Sequence, residues 1–219
     1  ITITGGQGVG QVTKPGLEIP PGEPAINPGP REMITQAVLE VLEAHGQHFP
    51  VDIEIFVPEG VRLAKKTLNA RLGILGGISI LGTTGLVRPM SHDAYIATIR
   101  SALSVARAAG LDHSVMTTGR RSERYSQGLW PEIPAEGFIQ IGDFFRASLE
   151  MAAAAGMSRI TLAVFFGKAV KMAQGVPHTH AAKHRLTFDA LARWTLEETR
   201  DKALAAAVRE ANTARQVLD

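Results

Sequence analysis

Polar and apolar positions alternate from Val51 to Val57, with Val51, Ile53, Ile55 and Val57 on one side and Asp52 and Glu54 on the other. A period of two is that of a half-buried strand. Upstream, Ile34, Val38, Val41 and Leu42 recur at helical spacing and predict a helix over Arg31–His45, closed by Gly46. The opening ITIT and the stretch Val9–Thr13 read as two short strands joined through a glycine turn. The following KPGLEIPPGEPAINPGP places six prolines in 17 residues. That density excludes helix and central strand and predicts an extended, semi-rigid loop with turns at Pro15-Gly16 and Pro21-Gly22. Such a loop is functional or mobile, or else a surface tether. Glu59–Leu68 is expected as a short helix.

From Ser91 onward the pattern becomes strand–helix alternation. Ser91 is a fitting N-cap with Asp93 in the first turn, and Ile96, Ile99, Leu103 and Ala106 make a helical stripe ended by Gly110. His113–Thr118 and Phe138–Ile141 are short strands. A helix after Asp143 carries Phe144, Ser148, Met151 and Ala155 on one face and ends at Gly156. Ile160–Phe166 is a continuous apolar run, as in a strand buried on both faces. Gly167 and Lys168 open a further short helix, and Leu186–Asp219, free of Gly and Pro, reads as helical, with a break near Asp201 left open. Alternating strands and helices indicate a parallel sheet covered by helices, in which ligands bind beyond the carboxyl ends of the strands. Those ends are Thr117-Thr118-Gly119-Arg120, Gly142-Asp143 and Gly167-Lys168.

One stretch fits no simple period. Asn69–Ser91 packs Gly73, Gly76, Gly77, Gly82 and Gly85 among apolar residues, with Thr83, Thr84 and Arg88 near its end. So much glycine weakens a strand but permits positive φ and close approach. The segment is therefore expected to press against another backbone or a ligand.

Composition changes the picture little. A chain of 219 residues holds one large or two small domains, and 45% apolar with 20% charged residues is ordinary for a globular protein. No apolar run has the length of a membrane span, no signal peptide is visible, and the first residue is not Met, so a fragment is expected. The absence of cysteine removes disulfides and thiolate chemistry and fits a cytoplasmic setting. The net charge of +2 lacks the long basic stripe of a nucleic-acid binder. Basic residues instead cluster locally, Arg120, Arg121 and Arg124 in one group and Lys168 and Lys171 in another, which suits an anionic ligand.

Candidate chemistry sits at the strand ends. In Thr117–Glu123, TTGRRSE, two hydroxyls, a glycine and two arginines at a strand–helix junction can hold an anion, although the stretch is neither a GxGxxG fingerprint nor a P-loop. A solvated turn with surface arginines is the plainer reading. Asp143 is a helix cap or an acceptor for a ribose hydroxyl. His178, His180 and His184 have a spacing that a metal could use, but no cysteine or nearby carboxylate completes a set, so pocket-lining side chains or the start of the last helix suit them better. Trp130 and Trp194 read as packing residues. No hydrolytic constellation stands out.

Taken together, GQGVGQVTKPGLEIPPGEPAINPGPREMI, LAKKTLNARLGILGGISILGTTGLVRPMS, TTGRRSE, FIQIGDFFRASLEMAAAAGM and GKAVKMAQG followed by HTH resemble, in order and spacing, the cobalt-precorrin-5B C(1)-methyltransferases of anaerobic cobalamin synthesis. The resemblance covers nearly the whole chain. It lacks the family's opening Gly-Tyr-Thr-Thr-Gly region and C-terminal extension, and AVFF precedes Gly167 where relatives often carry Gly-Met. It implies an S-adenosylmethionine-dependent methyltransferase acting on C-1 of a cobalt-bearing corrin precursor, with the cobalt arriving on the substrate and no protein-bound metal. It implies an α+β domain at residues 1–70, incomplete at its start, and a Rossmann-like, mostly parallel α/β domain at residues 71–219. On that reading Thr117, Thr118, Gly119, Gly142 and Asp143 hold the methyl donor. Thr83, Thr84, Gly85, Arg88, Arg120, Arg121 and Lys168 face the substrate, whose carboxylates Arg71 and Lys171 could also meet, and His178 or His180 would be a proton acceptor. The glycine-rich stretch would then line a pocket between the two parts. Neither nucleic acid nor membrane is expected as a partner, and the oligomer is left open. The alternatives are another nucleotide-binding α/β enzyme, such as an oxidoreductase, and a non-catalytic interaction module.

Overall fold

The computed structural model describes residues 1–82, 91–177, 179 and 187–218, and the chain divides into two compact units, Ile1–Asp112 and His113–Asp219. The secondary structure is mixed α/β with parallel strand pairing in both units.

In the first unit, β1 (Thr2–Gly5) pairs in parallel with β3 (Asp52–Ile55), and β2 (Gln11–Val12) pairs antiparallel with β4 (Ile74–Leu75). The alternation along β3 is present as expected, its even positions exposed and its odd ones half-buried. α1 (Pro28–Ala44) starts three residues before the expected Arg31. Prolines cannot continue a helix but are tolerated in its first turn, where the missing N–H has no intrahelical partner anyway. The half-buried stripe of α1 is Ile34, Val38 and Leu42; Val41 is exposed, being one position off that row. α2 (Gly60–Ala64) is shorter than the expected Glu59–Leu68.

The proline-rich loop is no tether. Ala25 and Ile26 are fully buried, and Ile19 joins Val12, Ala25 and Ile74 in a core against which Leu17 and Leu72 pack. Its backbone is stitched in by Val12 N–H to Glu23 O (3.0 Å), Ala25 N–H to Gly10 O (2.7 Å) and Ile80 N–H to Ala25 O (2.7 Å). Arg31 fixes its exit, donating to Ile26 O (3.0 Å) and Ile3 O (3.1 Å).

The glycine-rich stretch presses on backbone. Ile78 N–H donates to Gly8 O (3.0 Å) and Gly10 N–H to Ile78 O (2.8 Å). A Cβ on Gly77 would lie 2.1 Å from Gly8 O, and one on Gly8 would lie 1.9 Å from Val57 O at a φ of +77°. Only hydrogen fits between these chains. Because residues 74–80 knit into residues 8–27, the boundary expected at residue 70 falls inside the first unit. α3 (His92–Ala108) buries Ile99, Leu103, Val105 and Ala106, and the Ser91 hydroxyl accepts from Ala94 N–H (3.3 Å) as its cap.

The second unit is built on a three-stranded parallel sheet in the order β6–β5–β7, formed by β5 (His113–Thr117), β6 (Phe138–Gln140) and β7 (Arg159–Ala163). The connections carry α4 (Arg120–Leu129) and α5 (Phe145–Ala154), and α6 (Phe166–Ala173) follows β7. β5 is the buried strand; Val115 and Met116 are fully buried beside Phe138, Ile139 and Ile141. The expectation for Ile160–Phe166 is corrected. β7 is an edge strand, and Leu162 is 39% and Phe165 44% exposed. The C-terminal segment read as helical, with a break near Asp201 left open, forms three helices, α7 (Asp189–Thr199), α8 (Lys202–Glu210) and α9 (Ala214–Leu218), and the break falls at Arg200–Asp201. Arg200 takes a left-handed φ of 59°, and the Asp201 carboxylate caps α8 by accepting from Ala203 N–H (2.8 Å) and Leu204 N–H (3.0 Å). Phe188, Ala192 and Val208 form their shared core.

Candidate functional site

Parallel pairing brings the carboxyl ends of β5, β6 and β7 to one edge of the sheet, with Thr117 level with Gln140 and Ala163. At the end of β6, Ile141 N–H still donates to Thr117 O (2.7 Å), and Gly142 then turns the chain with a φ of 56°. A side chain would strain that left-handed turn. The turn delivers Asp143 beside α6.

Phe144, not Asp143, stands at the N-cap of α5, and its side chain makes no capping hydrogen bond. Asp143 Oδ1 accepts instead from Thr179 Oγ1 (2.8 Å) and pairs with Lys168 Nζ (3.1 Å). A carboxylate drawn to a full positive charge and a buried hydroxyl gains more than one drawn to the partial charge of a helix end. Thr179 is itself buried; its N–H donates to Asp143 O (3.1 Å), and its carbonyl accepts from Lys171 Nζ (3.4 Å). Arg146 N–H donates to Pro177 O (3.3 Å), so the chain around Pro177 and Thr179 lies along the start of α5. The two lysines on successive turns of α6 thus flank Thr179, one through the shared carboxylate and the other through its carbonyl. The side chains of Asp143 and Lys168 keep 22% and 31% of their surface exposed, so both can reach a ligand.

The turn after β5 closes on itself. Ser122 Oγ accepts from Thr118 N–H (3.1 Å) and donates to Gly119 O (3.0 Å), and Ser126 Oγ donates to Ser122 O (2.8 Å). The N–H of Thr118 is therefore already used within the turn. Thr117 Oγ1 is fully buried and, among the described residues, has no hydrogen-bond partner. An orphaned buried hydroxyl at the end of the central strand is the kind of exception that functional sites carry. Arg120 and Arg121 are exposed on α4; Arg121 lies over the Phe165 ring, its guanidinium carbon 5.0 Å from the centroid.

Sequence reasoning missed two features. Glu123 is buried, accepting from Gln140 at the end of β6 and from Gln127 (3.4 Å). A Glu in the first turn of a helix signals only favourable dipole placement, and nothing in the sequence pairs it with Gln140. Tyr125 on α4 and Phe165, at the N-cap of α6, are both exposed and meet edge to face at 6.3 Å. Arg71 lies in the first unit, half-buried, where desolvation pushes its guanidinium below its ordinary value. Thr83, Thr84, Gly85, Arg88, His178, His180 and His184 lie outside the described residues. Among the described residues no helix is long and apolar enough to cross a membrane.

A carboxylate paired with a lysine at the carboxyl edge of parallel strands can accept from a vicinal diol, while the lysines and Arg121 offer charge to an anion.

Known proteins resemble the chain closely. Residues 1–89 match the CbiD family model. All 219 residues are 50% identical to a protein of Geobacillus thermodenitrificans named cobalt-precorrin-5B C(1)-methyltransferase, covering 59% of that protein. A relative of the same name from Nitratidesulfovibrio vulgaris is 49% identical over 219 residues, 56% of its length, and one from Thermus thermophilus is 51% identical over 180 residues, 82% of this chain and 48% of the relative. The chain thus spans less than two thirds of the curated relatives it matches. A crystal structure of a cobalamin biosynthesis protein (cbiD) from Archaeoglobus fulgidus aligns over 84% of this chain and 56% of its own, at 27% identity and a TM-score of 0.34.

Proposed function

We propose that the chain is part of a member of the cobalt-precorrin-5B C(1)-methyltransferase (CbiD) family, a reading supported by the match of residues 1–89 and by the 50% identity over 219 residues, and that the protein methylates a ring carbon, C-1, of a cobalt-bearing corrin precursor, using S-adenosylmethionine. The cobalt is part of the substrate. The observation that carries the reading is Asp143, turned by Gly142 to the carboxyl edge of the parallel sheet and held there by Lys168 and Thr179.

The residues present suit such a donor. A nucleoside carries a vicinal diol, which asks for a carboxylate acceptor, and Asp143 is accessible. The unpartnered hydroxyl of Thr117 lies at the end of the strand beside it in the sheet. Thr117, Thr118, Gly119, Gly142 and Asp143 would hold the donor, in a second unit that we read as the Rossmann-like half. When bound, the donor supplies an electrophilic methyl on a sulfonium. The remaining work of the chain is orientation and exclusion of water, which on their own lower a barrier substantially when the reacting atoms are aligned. Lys168, which pairs with Asp143, would turn to a substrate carboxylate when a diol takes its place. Arg120 and Arg121 serve the substrate side, and Thr83, Thr84, Gly85 and Arg88 are assigned there by the resemblance alone.

The test is direct. The full-length protein is incubated with S-adenosylmethionine and cobalt-precorrin-5B, and the corrinoid is followed by mass spectrometry. Gain of one methyl group that depends on both reactants is expected. No gain under conditions where an authentic relative turns over the same substrate refutes the reading.

A further inference from the structure

Resting on the methyltransferase reading, we infer that Arg121, held over Phe165 beside Tyr125, is the carboxylate-binding element of a docking ledge for the rim of the flat, polycarboxylated corrin. Arg121 and Tyr125 are one helical turn apart on α4 and meet the same partner: the guanidinium lies over the Phe165 ring, and Tyr125 packs against that ring edge to face at an interplanar angle of 89°. A guanidinium laid over an aromatic face keeps its in-plane N–H donors pointing outward, and the stacking removes much of the side-chain freedom that pairing would otherwise cost. Arg121 has no carboxylate partner among the described residues, and neither have its exposed neighbours Arg120 and Arg124. The acid of this helix turn, Glu123, is buried and engaged by Gln140. The outer surface of the first two turns of α4 is thus cationic, with no compensating carboxylate among the described residues.

Tyr125 is 61% and Phe165 44% exposed, an unusual outlay of aromatic surface beside three arginines. A flat apolar ring system fringed with acetate and propionate groups matches that mixture in both shape and charge. The ledge is also joined to the proposed donor site. The carbonyl of Phe165 accepts from the N–H of Lys168 (2.9 Å), the residue whose ammonium pairs with Asp143. A macrocycle seated on the ledge would therefore lie about one helical turn from Lys168, the partner of Asp143.

The probe is cobyrinic acid, a cobalt corrin with free carboxylates, compared with its neutral heptamethyl ester; both are titrated into the full-length protein in parallel with S-adenosylhomocysteine. Arg121→Gln is expected to weaken cobyrinic acid about tenfold and to flatten its salt dependence. Phe165→Leu, which keeps apolar bulk but removes the ring under the guanidinium, is expected to weaken it about fivefold. Neither variant should change affinity for S-adenosylhomocysteine, and the ester should be indifferent to Arg121→Gln. Wild-type protein that binds S-adenosylhomocysteine while cobyrinic acid does not bind, or binds equally to wild type and both variants, overturns the ledge and leaves the donor reading standing. Variants that change only the sedimentation of the protein, leaving corrin affinity intact, overturn it too, by making the face a contact between copies. Cobyrinic acid binding through Arg121 without any binding of S-adenosylhomocysteine supports the ledge and sinks the donor reading.

Discussion

Replacing Asp143 by alanine removes two interactions whose sizes follow from the geometry. The first is the hydrogen bond from the Thr179 hydroxyl at 2.8 Å, made to a charged acceptor by a residue only 2% exposed. Losing such a bond and orphaning its donor costs about 2 kcal/mol. The second is the 3.1 Å pair with Lys168, whose partial exposure limits it to about 0.5–1 kcal/mol after solvent screening. Asp143→Ala should therefore lower the unfolding free energy by about 3 kcal/mol, a large share of a typical domain's stability. Asp143→Asn keeps an acceptor for Thr179 and should cost about 1 kcal/mol. Thr179→Val should cost about 2 kcal/mol, and a double-mutant cycle between Asp143→Ala and Thr179→Val should show about 1.5–2 kcal/mol of coupling. Both tryptophans, Trp130 and Trp194, lie in the second unit, so urea unfolding followed by tryptophan fluorescence reports on it. If Asp143 acted as a helix cap, alanine would cost a similar amount but the cycle would show no coupling to Thr179. Additive single variants would refute the assignment.

Three further outcomes test the packing around the site and the fold that carries it. Gly77→Ala drives a Cβ to 2.1 Å from Gly8 O and should destabilise the first unit by about 3 kcal/mol, read as faster hydrogen exchange at residues 8–12 and 74–80; a change below about 1 kcal/mol would refute the contact. Gln140→Ala removes a donor to the buried Glu123 carboxylate and should cost about 2 kcal/mol by fluorescence-detected unfolding, and unchanged stability would contradict that pairing. Asp201→Ala deletes the α8 cap and should cost about 1 kcal/mol, with helicity lost first in α8 by exchange mass spectrometry; protection in α8 equal to that of wild type would argue against the cap.

The elements legible in the sequence are those whose burial is set locally. β3 shows its period of two because only one of its faces packs, and α3 carries its cap, its stripe and its closing glycine within its own residues. β7 misled because an apolar run reports hydrophobicity and not the number of neighbours; its place at the sheet edge depends on β5 taking the centre. The prolines before Arg31 hid the first turn of α1 because the same residue type stops a helix and starts one. The glycine content of Asn69–Ser91 implies close approach to a backbone or a ligand without saying which. For Gly77 the neighbour is the backbone of Gly8, while Thr83, Thr84, Gly85 and Arg88 lie outside the described residues. At the candidate site, Asp143 and Lys168 were each visible as strand-end residues, but their pairing was not. The partner Thr179 lies 36 residues along the chain from Asp143, and only the sheet edge brings them together. Phe165 and Tyr125 escaped notice because an isolated aromatic reads first as core.

The most direct measurement of the central claim is calorimetric titration of S-adenosylhomocysteine into full-length wild type and Asp143→Asn, a variant that keeps the Thr179 hydrogen bond and so the local fold. Saturable binding to wild type, weakened about tenfold in the variant by loss of the charged acceptor, is the result predicted here. No binding to wild type, or equal affinity in the two proteins, would contradict the placing of the methyl donor at Asp143.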